Sequence, residues 1–361
     1  MNRNKAAILL VAILMISTLL GGCGNSGNVA EPDTSEQQTQ NKSVDPMKGT
    51  FFIFDTIVNV SIYDSRATKQ NLTEIEDLLK EIDNKISRTN SDSEIFKVNA
   101  NSGIGPVQVS SDTFDLVSIA IDYAKKTNGL LDPSIGRLVT LWNIGHEGAH
   151  VLSKEEVAPM QQLCDYRKIE MNKDTHEIYL EEKGMEIDLG SYGKGYAADA
   201  VYDYLADQGF NSAIIDLGGN VFAMGQKPSG EEWNIGIQDP TQERGIPIGT
   251  IRVNDKTVVT AGIYERYFEE DGKHYSHIIN PKTGYPVDNN ISSVTIVTDR
   301  STDADTMDTG LVLLGIEEGL KFVEKIPNAE VLFITKDKKL YASPGFKQML
   351  NKTNDSYTFA N

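Results

Sequence analysis

Residues 51–63 (FFIFDTIVNVSIY) alternate apolar and polar positions and are rich in β-branched and aromatic side chains, which predicts one or two strands. The period then changes. Leu72, Ile75, Leu79, Ile82 and Ile86 fall on one stripe of an amphipathic helix over residues 71–87, and Thr73 and Glu76 have the spacing of a capping box. Asp112 suits the N-cap of a second helix, which turns Phe114, Val117, Ile121 and Ala124 to one side and stops at Asn128-Gly129. A third helix is expected near residues 153–163.

The middle of the chain predicts a strand ending at residues 186–189, a glycine-rich turn, a helix from about 195 to 208 and a strand over 212–217. Both strands end in one phrase, Ile187-Asp188-Leu189-Gly190 and Ile215-Asp216-Leu217-Gly218. A single echo is too little for a repeat architecture and suggests two similar turns facing one site. Further strands are expected over 233–237, 257–261, 293–298 and 331–335, with a hairpin turning at Asp271-Gly272 and helices from about 303 and up to 325. Strands and helices mixed without strict βαβ alternation give the α+β class.

The first residues differ from the rest. Arg3 and Lys5 precede an apolar run over 6–20 that ends in Leu20-Gly21-Gly22-Cys23. A positive start, a short apolar stretch and small residues before the cut are the marks of an export signal, and a run of about 15 apolar residues falls short of the roughly 20 needed to span a bilayer. The Cys directly after resembles a bacterial lipobox. Residues 1–22 are therefore expected to be a signal peptide, Cys23 the lipid attachment point, and the polar stretch to residue 47 a tether. The folded domain is expected over 48–361.

Composition narrows the function classes. The 361 residues carry 34 Lys and Arg against 52 Asp and Glu, a net charge of −18. Without a basic run, such a surface repels phosphate backbones, so nucleic acid is not an expected partner. Cys23 and Cys164 cannot build a disulfide framework or a four-thiolate zinc site.

Three segments could carry chemistry. The turn Asp188-Leu189-Gly190-Ser191-Tyr192-Gly193-Lys194-Gly195 stands between a predicted strand and helix, where exposed N–H groups and Lys194 attract phosphate. It matches neither the Walker loop nor G-x-G-x-x-G, and a purely structural glycine turn is the other reading. In STDADTMDTG, Asp305, Asp308 and Thr309 share one helical face. Two carboxylates so placed repel unless a cation sits between them, and hard oxygen donors favour Mg²⁺ or Ca²⁺. The alternative is an acidic helix start matched to the dipole. In YERYFEEDGKHYSHIINPKTGYPV, a returning strand would put Tyr275, His277 and Ile279 on one face and His274, Ser276 and Ile278 on the other, before a Pro/Gly loop. His277 is either a packed strand residue or a catalytic one; His146 and His150 read as solvated.

Taken in order, the blocks FDTIVNVSIYD, SRTNSDSEIFKVN, NGLLDPSIGRLVTLWNIG, IDLGSYGKGYAADAV, AIIDLGGNVFAMG, WNIGIQDP, TAGIYERYF with HIINPKTGYPV, and DADTMDTGLVLLG resemble the ApbE family of flavin transferases, also called FAD:protein FMN transferases. The resemblance spans residues 49–341. It implies two intimately joined α/β lobes with mixed, largely antiparallel sheets, FAD in the crevice between them and Mg²⁺ at the pyrophosphate. Carried over position by position, Ser191, Asp305 and Thr309 would hold the metal. Phe54, Thr89, Leu130, Leu131, Asp132, Asp188, Lys194 and Ile279 would contact FAD. His277 would be the base, with Asp308 in reserve. Many relatives have Met-Gly-Thr where this chain has Phe54-Asp55-Thr56, and an aromatic residue near Thr89. The implied reaction is transfer of FMN to a Thr or Ser hydroxyl of an exported acceptor protein of a membrane or extracellular electron-transfer system. Hydrolysis of FAD to FMN and AMP, or FAD binding without chemistry, are the alternatives. The implied location is the extracytoplasmic face of the membrane, held by the lipid.

Overall fold

The structure is a computed structural model describing residues 45–361, which belong to one compact unit. The expected signal segment, Cys23 and most of the tether lie outside the described residues. Nine strands form a central sheet in chain order: Met47–Ile53, Thr56–Ile62, Ser212–Leu217, Asn220–Gly225, Lys256–Gly262, Ile291–Thr298, Glu330–Thr335, Lys339–Ala342 and Thr358–Phe359. Neighbours are antiparallel except the last pair, which is parallel. The α+β class and the largely antiparallel pairing therefore hold.

Side chains on successive strand positions go to opposite faces, and here the two faces have different covers. Val258, Val297 and Leu332 pack with Trp233, Ile251 and Phe346 on the side of a smaller sheet formed by Trp233–Gln238, Pro247–Val253 and Asn351–Lys352. Val259, Ile296 and Phe333 pack with Met307 and Leu311 of the helix Ser301–Leu314. The strand Ile291–Thr298 is consequently buried at every position. Over the first strands, Val58, Val60 and Ile62 meet Ile75 and Leu79 of the helix Lys69–Ile86 and Val201 and Leu205 of the helix Gly193–Asp207. Each such side chain contributes about 1.5–3 kcal/mol by leaving water.

Three expectations change. The first helix starts at Lys69, and its reciprocal cap is Thr68 N–H to Asn71 Oδ1 at 2.9 Å; Thr73 instead donates to Lys69 O at 3.2 Å. The opening turn is polar, so the apolar stripe does not mark it. The second expected helix spans Ser111–Lys126, after an additional helix Glu94–Ala100, and has Ser110 at the cap with Asp112 in its first turn. Residues 186–189 are not a strand. Glu186 makes an isolated bridge to Ile135, Ile187 exchanges N–H and C=O bonds with the Asn99 side chain at 2.7 and 3.0 Å, and Asp188 N–H reaches Pro133 O at 2.8 Å. A side chain and a loop carbonyl here satisfy main-chain groups that a strand would pair with its neighbour.

The helices Gly193–Asp207 and Ser301–Leu314 meet at close quarters. A Cβ on Gly195 would lie 2.3 Å from Ser301 O and 2.6 Å from Asp305 Cβ. Four residues on, Asp199 accepts the Ser301 and Thr302 N–H groups at 2.8 and 2.9 Å and the Thr302 hydroxyl at 2.7 Å, so one helix caps the start of the other. Gly195→Ala should cost about 1–3 kcal/mol of stability, read as a lower denaturant midpoint. An unchanged midpoint would show that the contact is looser than described.

Candidate active site

The irregular stretch ending at Asp188 bends because Asp188 Oδ1 accepts the Gly190 N–H at 2.8 Å. The chain then passes Ser191 and enters the helix Gly193–Asp207. Asp305, Asp308 and Thr309 of the helix Ser301–Leu314 face this turn. Gly195 N–H donates to Asp305 Oδ2 at 2.8 Å, and Lys194 Nζ lies 2.9 Å from Oδ1. Asp305 is 0% exposed, and the Lys194 ammonium is the donor that its Oδ1 faces. Ser191 Oγ and Thr309 Oγ1 are 3.3 Å apart. The Thr309 hydroxyl donates to Asp308 Oδ1 at 3.0 Å, and the Thr309 N–H bonds the same oxygen.

Burial, and then the charge of Asp305, push the Asp308 carboxyl up to about 7, with Lys194 pulling the other way. Burial pulls the Lys194 ammonium down, but Asp305 and Asp308 outweigh it and the net direction is up. Lys194 is therefore a fixed positive charge among acids.

His277 follows the strand Lys273–Ser276 instead of lying within it. Ser276, Ile278 and Ile279 are all buried, so the expected alternation of faces stops at Ser276. The His277 N–H donates to Arg266 O at 3.0 Å, and its Nδ1 lies 3.2 Å from the same oxygen. A proton on Nδ1 satisfies that carbonyl and leaves Nε2 as an acceptor. Burial lowers the His277 pKa to about 4, and the Arg266 and Lys194 charges act in the same direction. The ring is neutral at physiological pH.

The remaining predicted residues are placed as follows. Phe54 and Asp55 form the first hairpin's turn with φ of 56° and 53°. Leu131 packs against Gly310, next to Thr309; a Cβ there would be 3.8 Å from it. Leu130 is half-buried beside it. The Asp132 carboxylate is occupied internally by the Ser134 N–H and hydroxyl and the Tyr166 N–H. Ile279 lies in a separate apolar cluster with Leu138, Trp142 and Val157. Thr89 is exposed and has only Ser87 Oγ near it, at 3.4 Å, with no hydrogen bond to the acidic corner. His146 and His150 are exposed, as expected.

Two arginines escaped the sequence reading. Arg266 faces Lys194 and His277 closely enough to shift both, and Arg88 pairs with Asp188 at 2.8 Å. Isolated loop cations within the quoted blocks were the only signal for them.

Among the described residues no cluster of three or more His, Cys, Asp and Glu could cage a metal. The corner offers two carboxylates and two hydroxyls, with one oxygen of buried Asp305 paired to the Lys194 ammonium. Mg²⁺ suits such a set, since it takes one or two carboxylates and fills its other positions with water and substrate phosphates. The donors fit.

Known proteins resemble this chain over most of its length. The ApbE family profile matches residues 54–333. The chain is 34% identical to the FAD:protein FMN transferase of Treponema pallidum (strain Nichols), over 90% of each chain. It is 35% identical to that of Klebsiella pneumoniae (strain 342), over 74% of this chain and 82% of the other. Among solved structures, the flavin transferase ApbE from Vibrio cholerae superposes with a TM-score of 0.77 at 30% identity, covering 85% of this chain and 99% of that one.

The His277 shift has a sign that can be checked. The folded pKa lies below the unfolded value near 6.5, so the unfolded state takes up the proton first and stability falls as pH drops from about 6.5 toward 4. Between pH 7 and 5 the ligand-free protein should lose about 1–2 kcal/mol that a His277→Gln variant does not. Parallel stability profiles for the two proteins would contradict the assignment.

Proposed function

The chain belongs to the ApbE family and is an FAD:protein FMN transferase, and on that premise we propose how its residues perform the transfer. FMN passes from FAD to an acceptor protein. In the proposed reaction a Thr or Ser hydroxyl of the acceptor attacks the phosphorus nearer riboflavin, the P–O–P bond breaks, AMP leaves and a phosphoester remains. The observation carrying this reading is the acidic corner, where buried Asp305 pairs with Lys194 and, one turn along the same helix, Thr309 lies 3.3 Å from Ser191.

Asp305, Thr309 and Ser191, the last through its main-chain carbonyl, would hold Mg²⁺, with Asp308 close by. When bound, the cation neutralises charge on the diphosphate and makes its phosphorus easier to attack. Lys194 supplies a second positive charge at the same place, needed because the chain as a whole repels an anionic dinucleotide. Phe54, Leu130, Leu131, the backbone of Asp132, Asp188, Thr89 and Ile279 would position FAD. His277 accepts the hydroxyl proton at Nε2 while the Arg266 carbonyl fixes the ring. Its low pKa makes it a weak base at rest, effective as the proton leaves an oxygen already bonding to phosphorus. Asp308 is the alternative acceptor of that proton.

The sequence before the described residues supports a lipid at Cys23 and action outside the membrane, where exported acceptors of electron-transfer systems would be modified. Cleavage before Cys23 removes Arg3 and Lys5 and makes the mature chain still more acidic.

Incubation with FAD, Mg²⁺ and a co-expressed candidate acceptor tests the reading. Flavin fluorescence on the acceptor band in a denaturing gel is the expected result; free FMN and AMP with no labelled acceptor would mean hydrolysis, and unchanged FAD would mean binding alone. Asp305→Asn should lower Mg²⁺-dependent labelling by on the order of 100-fold or more. Labelling at the wild-type rate would refute the metal assignment.

A further inference from the structure

The turn that presents Ser191 is not part of a sheet, so something other than a strand ladder must hold its shape. Contacts with three neighbouring segments do so. Asn99 holds Ile187, Pro133 O holds the Asp188 N–H, and Arg88 holds the Asp188 carboxylate. Only the third acts through the side chain that makes the bend. Asp188 Oδ2 accepts from Arg88 Nε at 2.8 Å while Oδ1 accepts from Gly190 N–H at 2.8 Å. The carboxylate therefore links the guanidinium directly to the turn.

Arg88 also reaches a third segment. Its Nη1 donates to Thr140 Oγ1 at 2.5 Å, and Thr140 Oγ1 in turn donates to Gly136 O at 3.0 Å within the helix Gly136–Trp142. The planar fork of Arg holds its Nε–H and Nη1–H in fixed directions toward the two partners, a geometry that a flexible ammonium does not preset. The side chains of Arg88 and Asp188 are only 24% and 17% exposed, so solvent and salt weaken this pair less than a surface ion pair. Resting on the FAD-transfer reading, we propose that Arg88 is a positioning residue, tying the end of the helix Lys69–Ile86 and the helix Gly136–Trp142 to the 188–191 turn so that Ser191 is presented to the cation and its dinucleotide.

A neighbouring pair provides the control. Arg137 Nη1 bonds Glu186 Oε1 at 2.9 Å, two residues upstream on the same segment; Glu186 Oε2 also lies 3.3 Å from Thr140 Oγ1, but Glu186 makes no bond to the turn at Gly190. Groups that orient first ligands from behind are typically worth about 10–100-fold in metal affinity or activity.

The test is titration calorimetry of FAD into the full chain, with Mg²⁺ and with EDTA, beside thermal unfolding of each variant. Arg88→Met should weaken Mg²⁺-dependent FAD binding about tenfold or more while changing the EDTA value little. Arg88→Lys should fall between, since it keeps the charge on Asp188 but loses the bridge to Thr140. Arg137→Met should bind FAD within about twofold of wild type. The losses from Arg88→Met and Asp188→Asn should not add, because each removes the same link. A lower melting temperature with wild-type FAD affinity in Arg88→Met, or additive losses, would overturn the proposal alone. A wild-type chain showing no Mg²⁺-dependent FAD binding would overturn the functional reading and the proposal together.

Discussion

The close crossing of the helices Gly193–Asp207 and Ser301–Leu314 is the constraint on which the site depends. Gly195 lets the two backbones approach until its N–H bonds Asp305 directly, and Asp199 fixes the second helix by taking its first free N–H groups. Each helix thereby satisfies polar groups the other would leave bare. The same approach sets Ser191 beside Thr309 and Lys194 beside Asp305. Packing and chemistry are thus one arrangement, and a side chain at residue 195 would disturb both.

That arrangement stores unfavourable electrostatics. Two buried carboxylates three residues apart repel, and the structure compensates with Lys194, with main-chain and hydroxyl donors, and by raising the Asp308 pKa. A protein selected for stability alone would place apolar residues there. Retaining acids in the interior makes sense where a cation and an anionic substrate complete the balance. Overall negative charge then matters less to capture of FAD than the local field of Lys194, Arg266 and the corner itself.

Much of the fold was legible because period dominates in long elements. The helix bearing Ile75, Leu79 and Ile82 and the hairpin at Asp271-Gly272 follow from spacing and turn chemistry. Residues 186–189 misled because an apolar-polar alternation also suits an extended segment whose partners are the Asn99 side chain and a loop carbonyl. The first helix began early because its opening turn is capped by polar residues outside the stripe. In the site, Asp305, Asp308 and Thr309 were readable from i, i+3, i+4 spacing, and their meeting with Ser191 and Lys194 came from ordered blocks resembling one family. Arg88 and Arg266 were not readable, since each acts across segments distant in sequence and no local pattern encodes such a pairing.

In the proposed mechanism the helix crossing builds a cation site for the diphosphate of FAD. Crystals grown with FAD and Mn²⁺ in place of Mg²⁺ test it most directly, through the anomalous signal of the metal. The expected result is a peak bounded by the Asp305 carboxylate, the Thr309 hydroxyl and Ser191, touching the diphosphate on the Lys194 side. A metal held by other side chains, or a dinucleotide seated away from this corner, would contradict it.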